Sequence, residues 1–165
     1  LKEAFSGCTT ITGVDMSSIT GINGTDVLEN FCYNCTNLTH VDLSGLTTVS
    51  GSGAMDYTFS NTSITGVDLS SLQTISNSAM TNTFNDCPNI SSIDLSSLTT
   101  LASGVSLNGT FGLSNNPTSP LPLTSVTFTS LATVNGTAPM RNIFQKRDGL
   151  EIFFPAFNSN TFGQI

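Results

Sequence analysis

Four aspartates, Asp15, Asp42, Asp68 and Asp94, recur 27, 26 and 26 residues apart. Each sits between two apolar residues, as in Val41-Asp42-Leu43 and Val67-Asp68-Leu69. Carboxylates repeated in this way suggest three chemistries: an acid–base pair for glycosidic bonds, ligands for a hard cation, or a charged stripe for a partner. A glycosidase needs a pocket and two carboxyls held at different pKa values, and nothing in the pattern supplies either. Calcium takes about six to eight oxygens, and one carboxylate per copy offers few. The stripe remains as a surface for a basic protein or a glycan. The plainer alternative is a solvated residue copied along with its turn.

Other reactive residues are isolated. His40 is the single histidine. A Ser-His-Asp set would have to use Asp42 on the same open strand, with no donor for an oxyanion, so a surface histidine is expected. Cys8, Cys35 and Cys87 share one position when counted back from each Asp, and Asn61 fills it in the remaining copy. A shared position predicts a buried, stacked small residue. Cys32 is the odd one, and a Cys32–Cys35 or Cys8–Cys35 bridge stays open on these spacings. The Cys-x-x-Cys at Cys32 and Cys35 lacks a second pair or a histidine at zinc spacing. The glycines at Gly51 and Gly53 lack the Lys and helix of a phosphate loop. Neither a metal nor a cofactor is expected. Asn-x-Ser/Thr recurs at Asn23, Asn34, Asn37, Asn61, Asn89, Asn108 and Asn135. In an Asn- and Thr-rich repeat this reads as coincidence, although a eukaryotic secretory pathway would see glycan acceptors.

Charge narrows the partners. The net charge of −7 leaves nothing to neutralise phosphates, which argues against nucleic acid and anionic membrane surfaces. No apolar run is long enough to span a bilayer. Between Glu3 and Met140 there is no Lys or Arg, so trypsin would find little to cut there. The four bases are Lys2, Arg141, Lys146 and Arg147, which predicts an acidic body with a basic cluster near one end. The chain begins without Met, which reads as a mature product or a fragment, and the absence of obvious end caps leads to the expectation of a longer chain or an assembly.

The elements that hold these residues come from the apolar spacing. Ile11, Val14, Met16, Ile19 and Ile22 recur as Leu38, Val41, Leu43, Leu46 and Val49, as Ile64, Val67, Leu69, Leu72 and Ile75, and as Ile90, Ile93, Leu95, Leu98 and Leu101. Leu123, Val126, Phe128, Leu131 and Val134 form a drifted copy. Five copies of twenty-odd to thirty-odd residues fall in the range of solenoid repeats. Alternation around the Asp predicts a short strand with one buried face. Met55 and Phe59, like Val27 and Phe31, Met80 and Phe84, Leu107 and Phe111, and Met140 and Phe144, are spaced i, i+4. That spacing predicts one or two helical turns. A lone unit cannot bury its apolar side, whereas stacked units turn each position into a column. Aromatic stacking down the Phe column would add about 0.5–1.5 kcal/mol per pair.

The Leu-x-x-Leu-x-Leu spacing resembles that of leucine-rich repeats. Ala4-Phe5-Ser-Gly-Cys8 and Phe84-Asn-Asp-Cys87 resemble the Ala-Phe-x-x-Cys ending of the bacterial BspA-like subclass. The resemblance runs from about Ala4 to Phe154. One departure is that Ile19, Leu46, Leu72, Leu98 and Leu131 occupy the place of the usual buried Asn ladder. Neighbouring Ser and Thr are expected to replace its hydrogen bonds.

The expected fold is therefore an α/β solenoid: a right-handed leucine-rich-repeat array with one parallel β-sheet and short helical turns opposite it. Residues 1–165 form a single domain of about five repeats plus a degenerate sixth strand near Leu150–Phe157, with an excursion at the prolines between Gly112 and Leu123. Neither end shows an obvious cap. On the concave face the expected columns are Thr12, Thr39, Thr65, Ser91, Thr124 and Glu151; Gly13, His40, Gly66, Ser92 and Ser125; and the four aspartates with Thr127. Asp15, Asp42, Asp68, Asp94, His40, Thr39 and Thr65 are the candidate partner-binding residues. The resemblance implies a non-catalytic adhesion or recognition module, secreted or on the surface of a bacterium or phage, binding a protein or glycan. The rival expectation is a spacer or filament subunit that self-associates through its solenoid ends.

Overall fold

The computed structural model describes residues 1–114, 121–136 and 138–154. Pro117, Pro120, Pro155 and Phe157, and with them most of the expected proline excursion, lie outside the described residues. In chain order the strands are β1 (Gly13–Asp15), β2 (Gly21–Asn23), β3 (His40–Asp42), β4 (Thr48–Ser50), β5 (Gly66–Asp68), β6 (Thr74–Ile75), β7 (Ser92–Asp94), β8 (Thr100–Leu101), β9 (Ser125–Thr127), β10 (Thr133–Val134) and β11 (Glu151–Phe153). Together they build a parallel β-solenoid of about five turns.

Matching positions of successive copies lie side by side. Val14 pairs with Val41 and Val67 with Ile93. The first sheet runs β1-β3-β5-β7, and β9 lies against β7 while pairing with β11. The degenerate sixth strand is thus real, as β11. The expectation of one sheet is corrected: a second parallel sheet runs β10-β8-β6-β4-β2. Its source is the stretch after each corner, such as Thr48-Val49-Ser50, which is β-branched and alternates polar with apolar. Val49 is fully buried there.

The expected helical turns are also corrected, since the described residues contain no helix. The Val27-to-Phe31 and Met55-to-Phe59 stretches instead form successive tight turns. Every fourth residue has a left-handed backbone: Asp26, Asn30 and Asn34 in one rung, Gly53, Tyr57 and Asn61 in the next. A period of four keeps i and i+4 on one side, so the apolar spacing is the same as in a helix. The hydrogen bonds differ. Phe31 N–H bonds Leu28 O at 3.0 Å within the turn, whereas Leu28, Asn30 and Cys32 N–H bond Ala54, Asp56 and Thr58 O in the next rung. A helix would spend its N–H groups internally and leave none for the neighbouring rung. Asn, Asp and Gly tolerate the left-handed positions.

The core lies between the sheets and this turn wall. Phe59, Phe84, Phe111 and Phe144 stack face to face with centroids 5.4, 5.3 and 5.8 Å apart. Phe5 and Phe31 meet edge to face at 5.2 Å. Leu46, Leu72, Leu98 and Leu131 are buried in one column, with no room for an Asn ladder. Thr47 Oγ1 and Thr99 Oγ1 donate instead to Thr20 O and Gln73 O of the preceding rung. A deeper ladder is built from Thr58, Thr83 and Thr110, all buried, which donate to Leu28, Met55 and Met80 O.

Two further expectations change. In the cysteine column the residue between Cys35 and Cys87 is Thr62, not Asn61. Thr62 is buried and its hydroxyl lies 3.1 Å from Cys87 Sγ, while Asn61 faces outward and donates to Asn34 Oδ1. The third rung is one residue shorter between its Phe and its Asp, so counting from the Asp misassigns it. The basic cluster is also largely spent. Arg147 is buried, its guanidinium donating to Phe111 O and Cys87 O, with Nη1 unsatisfied. Lys146 donates to Ser114 O.

Candidate functional site

The first sheet turns its polar column residues outward. Asp15, Asp42, Asp68 and Asp94 stand in register on β1, β3, β5 and β7. Each sits at the end of its strand, and its Oδ1 accepts the N–H two residues on. The bonds from Ser17, Ser44, Ser70 and Ser96 are all 2.9 Å. Ser17 and Ser44 add their hydroxyls at 2.7 Å. This is an Asx turn. The chain then folds back through the bonds Ile19 N to Met16 O and Leu46 N to Leu43 O. The Asp column therefore shapes the corner between the two sheets, which explains its recurrence without any ligand. The Ser17 and Ser44 hydroxyls, with their N–H groups, hold the Asp15 and Asp42 carboxyls below the usual carboxylate range.

The other predicted residues divide into two groups. Thr39 and Thr65 are exposed, but their hydroxyls follow the ladder, donating to Thr12 O and Thr39 O; Ser91 continues this to Thr65 O at 2.9 Å. They are primarily stitches between rungs. His40 is exposed at the start of β3 with Gly66 and Ser92 following it in the column. An open groove of about 700 Å³ crosses this part of the face, lined among others by His40, Thr65, Gly66, Asp68, Ser92 and Asp94. Asp15, Asp42 and Thr39 are not in its lining.

Within the groove, Gly66 leaves a gap in a column that carries side chains at His40 and Ser92. A Cβ at Gly66 would meet Ser92 Oγ at 3.1 Å, a contact that rotation of the hydroxyl relieves.

The Ser-His-Asp set considered around Asp42 is not assembled among the described residues. Ser44 Oγ is donated to Asp42 itself, so no histidine activates it. The four cysteines are free, and neither bridge left open by the spacing is formed. Burial pushes the Cys32 thiol up to about 12 and raises Cys35 and Cys87, which suppresses the thiolate. Among the described residues no three His, Cys, Asp or Glu side chains gather as a metal site. No described helix is long and apolar enough to cross a membrane.

A second acidic group went unrecognised in the sequence. Asp26 and Glu29 on the turn wall pair with Lys2, and Asp56 lies one rung on. Burial, followed by the charges of Glu29 and Asp26, raises the Asp56 carboxyl to about 6 against the opposing bond from Thr81 N. The signal was faint: Lys2 is the only Lys or Arg in the first 140 residues. The buried threonines were legible in hindsight as the Thr-Phe pairs at Phe59, Phe84 and Phe111.

The family model described as a BspA type leucine-rich repeat region (6 copies) matches residues 1–83. No curated protein and no solved structure matches the chain. The matched residues carry the rungs whose Leu, Phe and Cys columns stack in register, and on that match over half its length the chain belongs to the BspA-type leucine-rich repeat family.

Proposed function

We propose that this chain is a non-catalytic recognition or adhesion module that binds a protein or glycan across the outer face of its first sheet. The observation that carries this reading is the open groove on a flat, polar, in-register face. Its lining stands on the paired strands β5 and β7, so little order has to be imposed on binding. The hydroxyl already committed at Ser44 and the suppressed thiols support the absence of catalysis. The long stretch without Lys or Arg suits a chain that meets proteases outside the cell or at its surface.

The test is Gly66→Trp, which fills the groove at a position whose neighbours in the column already carry side chains. Wild-type and variant chains are applied to a printed glycan array and an immobilised peptide array, with melting curves alongside. Binding of some probe by the wild type that is lost in the equally stable variant is the expected result. Blank arrays, or binding that survives the indole bulk of Gly66→Trp unchanged, would overturn the proposal.

A second reading is a spacer or filament subunit. It rests on the apolar side chains exposed on the first rung, Leu1 at 74% and Phe5 at 43%, and on β11, Ile152 at 40% and Phe153 at 50%. A rung of another copy stacked on either surface would cover these side chains. The charge motive for stacking copies is weak, because Lys2, Lys146 and Arg147 are already engaged.

A further inference from the structure

Resting on the recognition reading above, we propose that the partner is a basic, extended polypeptide segment that lays a Lys or Arg side chain into the notch over Gly66, beside Asp68 and Asp94. The notch is bounded along its column by His40 and Ser92, and the groove around it is lined by hydroxyls, two carboxylates and no Lys or Arg. The bonds made by Asp68 and Asp94 within the chain engage Oδ1, from Ser70 N and Ser96 N. An ionised carboxylate accepts about four hydrogen bonds, so both retain capacity for a cationic donor.

The cation must come from another molecule. Lys2 is paired with Glu29 and Asp26 on the turn wall. Lys146 is bonded to Ser114 O, and Arg147 is buried behind the Phe column. Arg141 lies on the far side of the rung, beside Asn142. Among the described residues, therefore, no Lys or Arg of the chain is bonded to Asp68 or Asp94.

The same features select among partners. A metal ion is disfavoured, since no three ligating side chains gather among the described residues. An acidic glycan would be repelled by the stripe. A neutral glycan would find no Phe, Tyr or Trp in the groove lining on which to lay a sugar ring. An extended basic segment matches both charge and shape: the groove crosses three rung spacings, from His40 on β3 to Ser125 on β9, roughly 14 Å or the length of about four to five residues of strand. Charge complementarity of this kind sets partner choice and association rate.

The test uses fluorescein-labelled (Lys-Ser)4 and (Glu-Ser)4 peptides, read by anisotropy at 50 and 300 mM NaCl. The wild type is expected to bind the lysine peptide, at least tenfold more weakly in the higher salt, and to ignore the glutamate peptide. Asp68→Asn with Asp94→Asn keeps an oxygen for each Asx turn and is expected to lower the affinity at least tenfold. Glu3→Gln with Asp148→Asn removes the same net charge from exposed positions elsewhere and is expected to leave affinity within twofold. Equal loss in both double variants would mean that only net charge matters and would overturn the proposal. So would a wild type indifferent to the lysine peptide. If Gly66→Trp abolishes binding of a neutral array probe while the lysine peptide is ignored, the recognition face stands and the basic partner falls.

Discussion

Single side chains in this protein act mostly by tying one rung to the next. Thr83 is fully buried and donates to Met55 O, which also accepts Thr58 N–H. Thr83→Val keeps the shape and leaves that carbonyl one partner. The expected cost is that of one hydrogen bond, about 0.5–1.5 kcal/mol, measured by urea denaturation. An unchanged or raised stability would show that the ladder contributes nothing. Asp56 acts in the opposite sense. Its carboxyl is more basic in the folded chain than when free, so folding takes up a proton between the ordinary value of 3.8 and about 6. Its contribution to stability is therefore better at pH 4 than at pH 7. Asp15 and Asp42, held low by their serines, contribute stability that is lost as the pH falls toward and below 3.8. Asp56→Asn, which keeps an acceptor for Thr81 N–H, is expected to raise the melting temperature at pH 7 and to leave it nearly unchanged at pH 4. Equal shifts at both values would show that the carboxyl is not perturbed.

Among the elements, the turn wall is the one whose physics differs most from expectation. A four-residue apolar period is compatible with a helix and with a chain of tight turns. The choice falls on turns because each neighbouring rung offers carbonyls in register for every second N–H. The Phe column lies behind this wall. Phe84 is fully buried between Phe59 and Phe111, whereas Phe5 on the first rung is 43% exposed. Phe84→Ala is expected to cost about 3–5 kcal/mol, and Phe5→Ala less than about 1 kcal/mol. Urea midpoints for the two variants give the comparison. Similar losses would mean that rung position does not govern the stack.

For the whole molecule, the question is whether the ends or the face meet the partner. Light scattering behind size-exclusion chromatography, at about 1 and 100 µM and at low and high salt, separates the two. The recognition reading expects a molar mass independent of concentration. Growth with concentration that persists in high salt would favour apolar stacking through residues such as Leu1 and Phe5. Growth only at low salt would point to Arg141 and the remaining charges.

By itself the sequence determined the rungs. The Val-Asp-Leu columns and the Phe column from Phe59 on were legible because a copied apolar spacing has only one economical way to be buried, with like positions stacked; in the second rung Cys32, not the expected Phe31, stands in register with Phe59. The outward face followed, since alternation in a strand sends every second side chain to the other side. Three things were decided only in the folded chain. The turn wall is not helical, because hydrogen bonds to a neighbouring rung are invisible in one copy read alone. Arg147 lies inside rather than on a basic end, because its partners are carbonyls some 36 and 60 residues away. The aspartates are corner residues first and candidate ligands second, because only the three-dimensional turn brings Ser44 N–H and hydroxyl onto the Asp42 carboxylate.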